Sequence, residues 1–290
     1  MYNQLNFSGT GRAFSFFVEL STYYLINDVN KGSFNVLFVI DIGNTNIVMG
    51  IYQDSNLEYY WKISTDISKT SDEMGILLHQ LLEYKGASFK DIDDVVISSV
   101  VPNIMSDVEI MCEEYIKVKP LIVRHDIDTG LVIKFDNPKE IGADRIVNAV
   151  AAIEKYGTPA IVVDFGTATT FDAISSEKHY LGGAITPGIG ISIDALFSKA
   201  AKLPKVELQK PESVIGKSTV KCMQSGILYG YIGQTDGIVT RMKKEMEASP
   251  ITIATGGLSG FIAPYCDTVD YIDPYLTLEG LRIIFEKNKR

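Results

Sequence analysis

The chain has 290 residues, 46% of them hydrophobic and 22% charged, with a formal net charge of −9. That composition is ordinary for a water-exposed globular protein with room for two domains. The acidic balance, without any Lys/Arg run, argues against a nucleic-acid partner. Three isolated histidines (His79, His125, His179) form no zinc-type grouping, and three widely spaced cysteines (Cys112, Cys222, Cys266) fit a reducing cytoplasm rather than a disulfide framework. No apolar run reaches membrane-spanning length.

In chain order, residues 1–35 do not resemble the rest of the chain. Phe14 to Leu25 is apolar and aromatic but interrupted by Glu19, a poor signal peptide, and Asn30–Ser33 resembles a linker. The expectation is an extension outside the main fold, the alternative being an extra helix packed on the first lobe. The fold then begins at Val36. Val36 to Tyr52 (VLFVIDIGNTNIVMGIY) reads as two strands joined by the turn Gly43-Asn44-Thr45, with Asp41 closing the first strand. A carboxylate there suits a divalent cation, and the glycine and bare N–H groups of the turn suit a phosphate. Taken once, the pattern is also plain hairpin chemistry.

Leu57 to Ser64 predicts a third strand, and Thr70-Ser71-Asp72-Glu73 has capping-box spacing before a helix with Met74, Leu77, Leu78, Leu81 and Leu82 on one face. Asp94 to Val101 reads as a buried strand, Ser106 to Lys117 as a helix and Leu121 to Val123 as a short strand. Asn137 to Tyr156 is a loop feeding a helix, with Gly142-Ala143-Asp144-Arg145 at the N-terminus, where an anion is favoured. Asp144 can equally be a first-turn acid that complements the helix dipole.

Ile161 to Asp172 (IVVDFGTATTFD) then repeats the first hairpin: β-branched residues, Asp164, Gly166, a Thr-rich turn at Thr167 and a second strand. A repeat more than a hundred residues apart predicts two lobes built alike, 36–153 and 154–290, each presenting an acidic turn to a shared nucleotide cleft. The glycines after Leu181 do not spell a Rossmann fingerprint, and Gly216-Lys217-Ser218-Thr219 lacks the earlier glycine of a Walker A loop, where Pro211 stands. Thr219 to Glu247 reads as a long helix, unbroken or broken once, with Gly226, Gly230, Gly233 and Gly237 on one face. Each glycine costs a helix about 1 kcal/mol, so that face is expected to pack closely on another helix, within the subunit or across a dimer. Ile251 to Ala254 predicts a strand, Thr255-Gly256-Gly257 a turn, and Leu276, Leu278, Leu281 and Ile284 the core of a last helix.

These motifs resemble one family, type III pantothenate kinase, within the actin-like acetate and sugar kinase superfamily. The likeness rests on DIGNTN (Asp41 to Asn46), ISSVVP (Ile97 to Pro102), GADR (Gly142 to Arg145) and DFGTATTFD (Asp164 to Asp172), followed in order by GGAITPG (Gly182 to Gly188), TGG (Thr255 to Gly257) and LTLEGL (Leu276 to Leu281). It covers residues 36–290 and lacks only the N-terminal arm. The resemblance implies an α/β fold of two ribonuclease H-like lobes, each a mixed sheet flanked by helices. It implies ATP-dependent phosphorylation of pantothenate to 4′-phosphopantothenate, the first step of coenzyme A biosynthesis, in a cytoplasmic homodimer. By resemblance, Asp41, Ile42, Gly43, Asn44, Thr45, Asn46, Ile47, Val48 and Thr167 contact ATP, and Asp41 places Mg²⁺ directly or through the phosphates. Asp144 accepts the hydroxyl proton, and Phe135, Gly142, Ala143, Asp144, Arg145 and Thr219 contact pantothenate. Asp164 holds K⁺ or NH₄⁺. Two rival expectations are another small-molecule kinase or phosphatase of the superfamily, and a nucleotide-dependent regulator without turnover.

Overall fold

The structure, a computed structural model, describes residues 35–124 and 126–289. The chain divides into 1–33 and 34–290, so the expectation for the N-terminal arm lies outside the described residues. The first sheet contains β1 (Val36–Ile42), β2 (Asn46–Gln53), β3 (Asn56–Ser64), β4 (Asp94–Ser99) and β5 (Leu121–Ile122), ordered β3-β2-β1-β4-β5. Between its strands lie α1 (Ser71–Tyr84) and α2 (Met105–Met111), the latter continuing into a π-helical turn over Cys112–Ile116. The Thr70 capping box forms as predicted, with Thr70 Oγ1 accepting from Glu73 N and the Glu73 carboxylate accepting from Thr70 N.

After β6 (Val132–Ile133) and α3 (Ala143–Tyr156) comes the second sheet: β7 (Ala160–Phe165), β8 (Ala168–Ile174), β9 (His179–Pro187), β10 (Ile251–Thr255) and β11 (Tyr271–Ile272). Its order is β11-β10-β7-β8-β9-β6, with α4 (Ile189–Lys199), α5 (Thr219–Glu245), α6 (Ser259–Ile262) and α7 (Leu276–Asn288) interspersed or following. Strand for strand, β7-β8-β9 repeats the antiparallel β1-β2-β3, while β10 and β11 repeat the parallel β4 and β5. The hairpin duplication seen in the sequence therefore extends to the whole sheet.

Pleating explains the layers. Phe38, Ile40 and Ile42 of β1 face α1 and α2, whereas Leu37 and Val39 face α3 and α7. In the second sheet Ala160, Val162 and Ile253 face α3, while Ile161, Val163 and Ala254 face α4, α5 and α6. The α3/α7 layer is thus held between both sheets, which is why Arg145 to Ile153 are all buried. The two sheets interleave the chain: β6, from the 36–153 segment, pairs with β9, and α7, from the 154–290 segment, packs on β1. Segments 36–153 and 154–290 remain the proposed lobes, with these two exchanges.

One of the two alternatives for the glycine face, packing within the subunit, needs correction. Helix α5 runs unbroken from Thr219 to Glu245, and apart from the helix's own adjacent backbone no atom of the described residues lies within 4 Å of where a β-carbon would stand on Gly226, Gly230 or Gly233. Packing within the subunit is excluded among the described residues. The close helix approach occurs elsewhere, at Gly280 of α7, where a β-carbon would run into the Val147 carbonyl of α3. Among the described residues no helix is long and apolar enough to cross a membrane.

Candidate active site

The turn between β1 and β2 is locked by backbone. Gly43 N donates to Asn46 O at 3.0 Å, Thr65 Oγ1 to Gly43 O at 2.6 Å, and Thr65 N to Thr45 O at 3.0 Å. The turn between β7 and β8 is locked likewise, Gly166 N donating to Ala168 O and Gly188 N to Thr167 O, both at 3.1 Å. The two turns meet: Thr45 Oγ1 and Thr167 Oγ1 are 2.8 Å apart and exposed. Ile42 and Ile47 are buried in the first core, so these two positions offer a ligand backbone rather than side chain.

Three carboxylates converge behind the turns. Asp41, near the end of β1, accepts a 2.5 Å hydrogen bond from Ser98 Oγ of the parallel strand β4, its register partner. Asp164, near the end of β7, accepts from Asn148 Nδ2 of α3 at 3.0 Å, and Asn148 Oδ1 in turn accepts from Thr277 Oγ1 of α7 at 2.7 Å. Asp144 lies in the first turn of α3, where its Oδ1 accepts from Arg145 N at 2.8 Å. Loss of water, chiefly, pushes the Asp41 carboxyl up to about 7, with Ser98 opposing and the charge of Asp144 adding. Asp164 is pushed up to about 7 for the same first reason, then by Asp144 and Asp41. Burial also raises Asp144, against the Arg145 backbone bond and charge. The three therefore share one electrostatic environment.

None of the three makes an ion pair among the described residues. Dehydrated, mutually repelling acids of this kind fit a cation. No three His, Cys, Asp or Glu side chains among the described residues form a metal-holding group. A cation would thus take one or two carboxylates and complete its shell from ligand oxygens or water. The Thr255-Gly256-Gly257 turn closes over Asp164. Gly256 has φ +88°, and a β-carbon there would run into Asp164 Oδ1.

Arg145 is less available than its motif suggests. It is 7% exposed, its Nε donates to Asp172 Oδ1 at 2.7 Å, and Nη2 lies 2.6 Å from the same oxygen. Tyr180 OH (2.6 Å) and Thr170 Oγ1 (3.1 Å) also donate to Asp172. The Nη2 contact is poorly aligned, which leaves a buried donor without a good acceptor. Phe135 packs on the Tyr180 ring, 6.3 Å between centroids, and borders Gly182. Gly142 caps α3 and Ala143 is its first residue. Thr219 is the exposed first residue of α5, and among the described residues no hydrogen bond joins it to Asp144, Arg145 or Phe135.

Sequence reasoning missed Ser98, Asn148, Asp172, Tyr180 and Thr277 as supports. Ser98 and Asp172 lie inside the ISSVVP and DFGTATTFD motifs, where a polar residue in a buried strand was the available signal. Asn148 offered a similar signal, an amide on an otherwise apolar helix.

The sequence model described as type III pantothenate kinase matches residues 37–241. Solved structures match over most of the chain. One is a Campylobacter jejuni protein described provisionally as a conserved Baf family transcriptional activator (21% identity, 87% of this chain and 98% of that one, TM-score 0.53). Another is the ethanolamine utilization protein EutJ of Carboxydothermus hydrogenoformans (13% identity, 87% and 89%, TM-score 0.51). A third is a Listeria monocytogenes protein described provisionally as an N-acetylmannosamine kinase (11% identity, 88% and 100%, TM-score 0.50). At these identities the likeness speaks for the fold alone, the two-lobed actin-like arrangement of paired mixed sheets.

Proposed function

The chain belongs to the type III pantothenate kinase family, and from that premise we propose that it transfers the γ-phosphoryl group of ATP to the 4′-hydroxyl of pantothenate, giving ADP and 4′-phosphopantothenate. The observation that carries the proposal is the convergence of Asp41, Asp144 and Asp164 behind two turns that touch through Thr45 and Thr167. Phosphoryl transfer asks a protein for in-line positioning and charge neutralisation rather than covalent chemistry.

In this reading the backbone from Asp41 to Val48, with Thr167 opposite, cradles the phosphates. Asp144 accepts the hydroxyl proton. Its carboxyl is raised by burial, which makes it a better base than a solvated aspartate. A divalent cation beside Asp41 and a monovalent one at Asp164 would supply the positive charge that no basic partner gives these acids. Gly142, Ala143, Phe135 and the under-satisfied Nη2 of Arg145 form the acceptor end, where Nη2 would take a substrate carboxylate oxygen. Thr219, exposed at the start of α5, remains a proposed substrate contact.

We also propose a homodimer through α5. Its open glycine face is exposed, and Tyr229 and Val220 on α5 with Leu196 and Phe197 on the adjacent α4 are exposed apolar side chains. The cytoplasm, where ATP is plentiful and the three free cysteines stay reduced, is the proposed location.

A second reading draws on the Asp172–Arg145 pair, which cancels the charge of the arginine: a kinase for an uncharged polyol. The test is ATP-dependent ADP release with pantothenate, acetate and a panel of hexoses, with and without K⁺ and Mg²⁺. Turnover confined to pantothenate and dependent on both ions supports the proposal. Turnover on a hexose with none on pantothenate supports the second reading, and ATP binding without turnover on any acceptor points to a regulator.

A further inference from the structure

We propose that Lys62 is a nucleotide-phosphate contact, a basic side chain that reaches across the cleft from the first lobe to the glycine turn of the second. The pleat of β3 sets its direction. Tyr59, Trp61 and Ile63 turn toward the first core, so Tyr60 and Lys62 turn to the opposite face. Lys62 stands opposite Val48 in the sheet register, beside the turn whose carbonyls Thr65 holds. Its ammonium lies 3.0 Å from where a β-carbon would be on Gly257, so the lysine tip rests closely against this turn of the second lobe. Gly256, next in the same turn, abuts Asp164. Two residues before Lys62, Tyr60 meets Tyr275 edge-on at 5.0 Å between ring centroids, so β3 also rests on the second lobe at that point.

The charges at this junction are one-sided. Asp164 abuts Gly256 of this turn, and Asp144 and Asp41 act on it through their charge. None of the three forms an ion pair among the described residues, and Arg145 is tied to Asp172. Lys62 is exposed and forms no ion pair among the described residues, so its three donors are uncommitted. A polyphosphate entering between the turns adds several negative charges where three acids already repel. An ammonium between the Gly256–Gly257 turn and the β1–β2 turn is placed to take a phosphate oxygen from either side. Because it is anchored in one lobe and lies against the other, the same contact would tie the lobes together once a nucleotide is bound.

The inference rests on the reading that the cleft takes ATP, and its test is arranged to fail separately. Equilibrium binding of ATP, ADP, AMP and adenosine is measured without any phosphoryl acceptor, for the full-length protein and for Lys62→Met and Lys62→Arg, at low and high salt. Thermal melts accompany each, since an exposed lysine leaves the fold intact when replaced. Lys62→Met is expected to weaken ATP roughly ten- to hundredfold, to weaken AMP less and to leave adenosine unchanged. Lys62→Arg should recover most of the loss, and the deficit should shrink as salt screens it. Unchanged ATP affinity in Lys62→Met, or an equal loss for adenosine, overturns the assignment. A wild-type protein that binds ATP in this Lys62-dependent way but does not phosphorylate pantothenate overturns the proposed substrate and leaves Lys62 standing. One that binds no nucleotide overturns both.

Discussion

The two acidic hairpins occupy equivalent places in their sheets, yet their aspartates are held by different parts of the molecule. Each has a parallel neighbour with a hydroxyl side chain in register: Ser98 of β4 beside Asp41, and Thr255 of β10 beside Asp164. In the first lobe the hydroxyl donates to the carboxylate at 2.5 Å. In the second, Thr255 Oγ1 is buried without a partner among the described residues, and Asp164 takes its bond from Asn148 of α3, which Thr277 of α7 steadies. The difference teaches where control lies. Asp41 answers to its own sheet, whereas Asp164 answers to the helix layer shared by both sheets, so a shift of that layer would change Asp164 first.

Asp144 belongs to neither hairpin, and its replacement should have the largest effect. It raises the carboxyls of both hairpin aspartates, so it is the point at which the lobes share charge. Asp144→Asn is expected to lower kcat by roughly 10²–10⁴ while ATP affinity stays the same or improves, because one repelling charge is gone. Steady-state kinetics alongside nucleotide titration checks this. A variant with near-normal kcat would remove Asp144 from the role of base.

Exchanging one hairpin aspartate at a time should sharpen the contrast with smaller effects. Asp164→Asn is expected to abolish activation by K⁺ while Mg²⁺ dependence persists, and Asp41→Asn the reverse. Both carboxyls titrate near 7 in the folded chain, above the ordinary 3.8. A group raised in this way imposes no penalty below about pH 4; the penalty grows as pH rises toward 7 and levels off above it. The cation-free protein should thus lose stability from pH 4 to 8, and each Asn variant should lose less, by a few degrees in Tm. Added K⁺ should recover stability at pH 8 in wild type and Asp41→Asn but not in Asp164→Asn. Parallel pH curves for all three proteins would sink this account.

Much of this arrangement is legible in the sequence because it depends on local rules. The hairpin at Val36–Tyr52, its repeat at Ile161–Asp172 and the Thr70 capping box need only alternation, a glycine turn and i,i+3 spacing. What the chain does not announce is long-range pairing. Nothing local says that Asn148, in the middle of a buried helix, faces Asp164, or that Asp172 turns inward to neutralise Arg145. The glycine stripe of α5 left two readings open for the same reason, and the structure removes only packing within the subunit among the described residues. Periodicity shows that four glycines share a face and is silent on what covers it, while Gly280, which does admit a close helix backbone, belongs to no glycine periodicity.

The smallest effect concerns the point where the hairpins touch. Thr45 and Thr167 are each fixed by their own carbonyls, through Thr65 N and Gly188 N, so Thr→Val at either place leaves its turn intact and removes only the shared hydroxyl contact. An exposed hydroxyl pair contributes about 0.5–1.5 kcal/mol, and the single and double Val variants form a cycle that isolates that coupling from other losses. Measured on unfolding free energy without nucleotide, a coupling inside that range would mean that the lobes hold each other closed unaided. A coupling of zero, with a KM for ATP raised in both single variants, would mean that the two hydroxyls serve the phosphates separately and that the nucleotide itself brings the halves together.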